Sequence, residues 1–179
     1  MKTNLIIFIL LLFILPKGYA THNRAGEIHI EPINGCNSLT VRATITTYTA
    51  EGSGIADRDS LEICWGDGYC EYIARIQETI IETDYGLNIY VGEHTYGARA
   101  TYKISMVDPN RNAGILNVNP PLSINIPFAI QTTYTFLNPQ FNGCNTTPYL
   151  LQPPVDIACV GQTFIHNTNA YDPDGDSLS

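Results

Sequence analysis

Cys64-Trp65-Gly66-Asp67-Gly68-Tyr69-Cys70 is the stretch on which the fold turns. Two glycines bracket an aspartate, and glycine supplies the positive φ that a tight hairpin needs. With Gly66-Asp67-Gly68 as the loop, Trp65 faces Tyr69 and Cys64 faces Cys70 across the ladder. Opposed Cβ atoms in a hairpin lie within about 5.5 Å, close enough to bridge after slight adjustment. A Cys64–Cys70 disulfide is therefore expected. Trp65 shares a strand face with Leu61 and Ile63, which makes it a core residue rather than a platform for stacking sugars.

The same period of two runs outward in both directions. Leu39, Val41, Ala43 and Ile45 alternate with Thr40, Arg42, Thr44 and Thr46; Leu87, Ile89 and Val91 repeat the pattern. Tyr102, Ile104 and Met106 alternate with Thr101, Lys103 and Ser105. Helical periodicity is absent, and Gly, Pro, Asn and Asp separate the runs. Half-buried strands joined by short turns make an antiparallel β-sandwich, so the fold class is all-β.

The leading residues are not part of that fold. Lys2 gives a short positive region, residues 5–15 are apolar, and Gly18-Tyr19-Ala20 offers small residues for cleavage. This is a secretory signal peptide, residues 1–20. Its apolar core reaches only half of the ~20 residues that span a bilayer. The 179-residue chain carries 9 Lys and Arg against 17 Asp and Glu, a net charge of −8. An acidic surface repels phosphate, which excludes nucleic acid and anionic lipid as partners and is compatible with divalent cations. Export makes disulfides the default for Cys36, Cys64, Cys70, Cys144 and Cys159. Five is odd, so one thiol is free, pairs with another chain, or pairs beyond Ser179.

Three regions follow the leader. Residues 21–127 are the first sandwich. Residues 128–148 lie among Pro120, Pro121, Pro127, Pro139 and Pro148, a density that suits a linker or an edge segment because proline cannot donate to a ladder. Residues 149–179 are read as the truncated start of a second sandwich, with a strand near Gln162-Thr163-Phe164-Ile165. The chain is read as a fragment of something longer, with further β-domains beyond 179.

Trp65-Gly66-Asp67-Gly68, then His94-Thr95-Tyr96, then Gly97 and Tyr102-Lys103-Ile104-Ser105-Met106-Val107-Asp108 resemble the PKD domain pattern. That pattern has a WGDG turn, an HTY corner and a last strand ending in Asp, and the likeness covers about residues 24–127. It departs from the pattern in the cysteines flanking the turn and in Gly97-Ala98-Arg99-Ala100, which stands where a proline-glycine turn is usual. The resemblance implies a seven-stranded Ig-like sandwich without catalytic residues. Thr21-His22-Asn23-Arg24-Ala25-Gly26-Glu27, Asp108-Pro109-Asn110-Arg111-Asn112 and Tyr171-Asp172-Pro173-Asp174-Gly175-Asp176 look like large surface proteins of gliding bacteria. Those proteins carry a gliding-motility-associated C-terminal domain and leave by type IX secretion; that domain is missing here.

Asp172, Asp174 and Asp176 alternate as the carboxylates of a hard-cation loop do, and Ca²⁺ takes about 6–8 oxygens. An EF-hand is excluded, because Gly175 is misplaced and no bidentate Glu follows. The segment resembles the calcium-binding turn of bacterial cadherin-like repeats; the bland alternative is an Asp-rich turn. Asp57, Asp59 and Asp67 read as solvated loop acids, and Glu27, His29 and Glu31 as a polar strand face. His94 is expected to bond within its own corner. His22, His29, His94 and His166 show no zinc-protease spacing, and no nucleophile elbow or phosphate loop occurs.

The expected protein is secreted, retained at the cell surface and non-enzymatic, an adhesin, scaffold or spacer linked to gliding motility. Its partner would be an extracellular protein or polysaccharide. The alternative is an accessory region of a secreted hydrolase that degrades polysaccharide or protein.

Overall fold

The computed structural model describes residues 23–50, 58–82, 85–120, 122–141, 143–154, 160–167 and 169–178. Residues 1–20, expected to be a signal peptide, lie outside them, as do Asp57 and Cys159. Nine strands occur among the described residues: β1 (Asn23–Pro32), β2 (Thr40–Ala50), β3 (Ser60–Cys64), β4 (Cys70–Glu82), β5 (Tyr85–Thr95), β6 (Thr101–Asp108), β7 (Phe128–Thr135), β8 (Tyr149–Leu150) and β9 (Ala170–Tyr171). A 3-10 turn, Ser123–Asn125, precedes β7.

The first seven strands are antiparallel neighbours in the order β1-β2-β5-β4-β3-β6-β7. They fold over into an all-β, Ig-like sandwich because β4 serves both layers. Residues 70–74 of β4 pair with β3, and the pairing passes to β5 from Arg75 onward. The register skips Ile76 at the crossing. An irregularity of this kind bends a strand sharply enough to turn a corner between packed sheets. The two remote edges approach each other on the far side: a Cβ built on Gly26 of β1 would stand 3.4 Å from Phe128 and Ile130 of β7.

Between the layers lie Ile28, Ile30, Val41, Ala43, Ile45, Leu61, Ile63, Trp65, Ile73, Tyr90, Tyr96, Ile104, Met106, Phe128, Tyr134 and Phe136. The alternations of β2, β3 and β6 point inward as their sequence pattern requires. Each large side chain so buried contributes on the order of 1.5–3 kcal/mol. On β5 the pattern is reversed: Asn88 and Tyr90 are buried, while Leu87 and Ile89 are half-buried on the opposite face. The cause is the pleat. Gly92 must pass close to Ile73 and Trp65, where an added Cβ would meet Ile73 Cγ2 at 2.5 Å. Fixing Gly92 inward fixes Tyr90 and Asn88 with it and turns Leu87 and Ile89 out.

Strand β7 pairs with β6 along its whole length, from Thr101↔Thr135 to Asp108↔Phe128. Residues 128–136 are thus an edge strand and core of the sandwich, the edge-segment alternative of the two, and the sheet continues past residue 127. Beyond β7, Cys144 is bridged to Cys36, and Thr147 lies along β1. There Ile30 N donates to Thr147 Oγ1 (2.7 Å) while Thr147 N donates to Ile30 O (2.9 Å). The β8–β9 ribbon follows. Residues 162–165, expected to begin a strand, do not form one, and Phe164 and Ile165 are exposed. Among the described residues, no helix is long and apolar enough to cross a membrane.

Candidate functional site

Residues 64–70 form the hairpin expected of them. Trp65 N donates to Tyr69 O (2.9 Å), Cys64 lies opposite Cys70, and the two are joined as a disulfide with Cα atoms 4.1 Å apart. Gly66 (φ +87°) has a second reason to be glycine: a Cβ there would stand 2.5 Å from the Lys103 carbonyl oxygen on β6.

This hairpin is clamped to the end of β5 by aromatic and charged groups. The Trp65 indole is fully buried, and its N–H donates to Glu71 Oε1 at 2.9 Å. Tyr96 donates its hydroxyl proton to Trp65 O at 2.9 Å, and burial pushes its phenol above the ordinary range. His94 does not bond within its own corner. Its Nε2 lies 2.7 Å from Asp67 Oδ2, across 27 residues of sequence, and its ring stacks on both Trp65 (4.9 Å) and Tyr69 (5.5 Å). Asp67, in turn, accepts the Tyr69 amide at 3.1 Å. Partial burial pushes the Asp67 carboxyl upward, but the His94 and Tyr69 hydrogen bonds outweigh it, and the group sits below its usual range. Trp65, Asp67, His94 and Tyr96 are thus committed to one another, as a fastening between the two layers.

The other expected acids disperse. Arg58 Nε donates to the buried Asp108 (3.0 Å), and Asp59 accepts Arg75 at 3.4 Å. Asp172 Oδ1 accepts the Asp174 amide (2.8 Å), and Asp174 Oδ2 accepts the amide of Thr146. Gly175 N closes the turn on Asp172 O at 3.2 Å. Two of the three aspartates thus spend an oxygen on backbone, and no three His, Cys, Asp or Glu among the described residues gather as a metal site.

A different place does have the shape of a binding site. The outward face of β1, β2 and β5 presents Glu27, His29, Thr44, Thr46, Leu87 and Ile89, and Tyr149-Leu150 of β8 stands over it as a wall. This open groove measures about 390 Å³, comparable in size to small-ligand clefts. Leu150 N donates to Glu27 Oε2 at 2.9 Å, and His29 meets the Tyr149 ring edge-on at 5.1 Å. Burial raises the Glu27 carboxyl, which the Leu150 amide only partly offsets. Tyr48 beneath it is raised by burial and by the Glu27 charge. The sequence pattern presents Glu27 and His29 as a plain polar face. The missed signal was Leu87-x-Ile89, an apolar pair that the inward Gly92 forces outward.

No family model, no curated protein and no solved structure matches this chain.

Proposed function

We propose that the chain is an exported, non-enzymatic module that spaces and presents binding surfaces outside the cell. The observation that carries this reading is the use made of its chemistry-bearing residues. Trp65, Glu71, Asp67, His94 and Tyr96 bond to one another, and no buried side-chain nitrogen or oxygen among the described residues lacks a partner. Two disulfides point to maturation in an oxidising, extracellular setting. Rigidity of this kind suits a load-bearing spacer better than a reaction cycle.

The PKD assignment, retention at the cell surface and the link to gliding motility belong to the same proposal, supported by the Trp65-Gly66-Asp67-Gly68 and His94-Thr95-Tyr96 resemblance. Calcium at Asp172, Asp174 and Asp176 belongs to it as well, and would require oxygen ligands besides these three. The deciding experiment compares cells with and without the gene for surface attachment, alongside assays of the purified chain on polysaccharide and protein substrates. Loss of attachment with no hydrolysis supports the proposal. Hydrolysis by the purified chain overturns it.

A further inference from the structure

The groove over β1, β2 and β5 contains a carboxylate without a cation. Glu27 is half-buried there; among the described residues its carboxylate has one hydrogen-bond partner, the Leu150 amide, and makes no ion pair. Farther along the same face, by contrast, Glu31 and Glu93 flank Arg42 at 3.3 and 2.8 Å. Around Glu27 the lining is of two kinds. Leu87 and Ile89 form an apolar floor, while Thr44, Thr46 and the Tyr149 ring stand at its sides. His29, two residues along the same face, directs Nδ1 toward Thr147 Oγ1 at 3.4 Å.

We propose that this groove binds an aliphatic ammonium group, the chemistry shared by a lysine side chain and a polyamine. The methylene stem lies along Leu87 and Ile89, and the ammonium meets Glu27 with Tyr149 beside it. A partly desolvated carboxylate gains most from a ligand that brings the missing charge and donates to it. An adjacent tyrosine ring adds cation–π attraction. The apolar floor selects against small hydrated metal ions, which have no surface to bury there. Net charge favours the same occupant, because an acidic protein concentrates cations around itself. The inference goes beyond the spacer reading and stands on the groove alone.

Isothermal titration calorimetry of the full chain at neutral pH tests it with Nα-acetyl-lysine methylamide, spermidine and the neutral Nα-acetyl-norleucine methylamide. At least one amine binds, and the norleucine compound does not. Heat from the lysine compound alone assigns the site to protein side chains; heat from spermidine alone assigns it to polyamines. Glu27→Gln keeps an acceptor for Leu150 and weakens binding about tenfold or more, as loss of a charged hydrogen bond does. Thr46→Lys, placed directly across from Glu27, supplies an ammonium in cis and blocks the site equally. Should the glutamine variant fail to fold, the lysine variant decides. The inference is overturned if neither amine binds, if norleucine binds as well as lysine, or if the folded variants bind like the wild type.

Discussion

His94 Nε2 and Asp67 Oδ2 are 2.7 Å apart, joining the β3–β4 hairpin to the end of β5. The contact forms the polar rim of an aromatic stack whose inner member, Trp65, is fully buried. Because Asp67 titrates below its ordinary value when folded, it contributes stability above its unfolded pKa of about 3.9. That contribution is lost as pH falls through the lower, folded value. Asp67→Asn is expected to lose stability at pH 7 and to show a flatter acid limb than wild type. Urea titrations followed by the fluorescence of Trp65, the single tryptophan, measure both. Parallel acid limbs in the two proteins would sink the assignment.

The two disulfides close loops of very different size, with separations of 108 residues for Cys36–Cys144 and 6 for Cys64–Cys70. Chain-entropy arguments give about 5 kcal/mol for the long loop and about 2 kcal/mol for the short one. Cys36→Ala/Cys144→Ala should therefore lower the urea midpoint roughly twice as much as Cys64→Ala/Cys70→Ala. An equal loss would place the value of the long bridge in local packing instead.

Gly66 and Gly97 both sit in turns but should respond oppositely to alanine. At Gly66 the left-handed φ and the Lys103 carbonyl oppose a Cβ, whereas nothing lies within 4 Å of one at Gly97. Gly66→Ala is expected to cost about 1–3 kcal/mol, and Gly97→Ala to be neutral or to stabilise by up to about 1 kcal/mol. Thermal melts of the two variants are sufficient to decide.

Glu27 carries the reverse pH signature to Asp67. Burial raises its carboxyl when folded, so its charge costs stability above the folded pKa, and the cost fades as pH falls toward the unfolded value of about 4.3. Without ligand, Glu27→Gln should be more stable than wild type at pH 7, with the gap closing near pH 4. A constant gap across that window would mean that Glu27 is not desolvated.

Much of this architecture is legible from residue pattern alone, and the exceptions have identifiable causes. The hairpin register, the Cys64–Cys70 opposition and the inward faces of β2, β3 and β6 depend on local alternation. On β5, alternation points to the correct strand but the wrong face, because the deciding residue is Gly92, whose role depends on Ile73 and Trp65 from other strands. The proline-rich stretch conceals β7, since its prolines flank the strand (Pro127 just before, Pro139 beyond) and remove no ladder donor. Neither the His94–Asp67 contact nor the Cys36–Cys144 bridge has a local signal. The Glu27 groove requires two distant facts at once, the outward turn of Leu87 and Ile89 and the return of residues 149–150 over β1.

The Cys36–Cys144 bridge also determines how the molecule carries tension. Its Cα atoms are 4.9 Å apart, so a pull on the chain either side of it runs through the sulfur pair and bypasses everything between. Strands β2 to β7 lie wholly inside that bypass. They cannot be drawn out while the bond is intact, however weak their own ladders. Among the described residues, β1 and the segment after Cys144 lie in the line of force; β1 is held by its ladder to β2 and, through Ile30, by Thr147. Under load the protein behaves as a short inextensible link whose yielding part is its first strand. A reducing environment would convert the same link into a long, compliant tether.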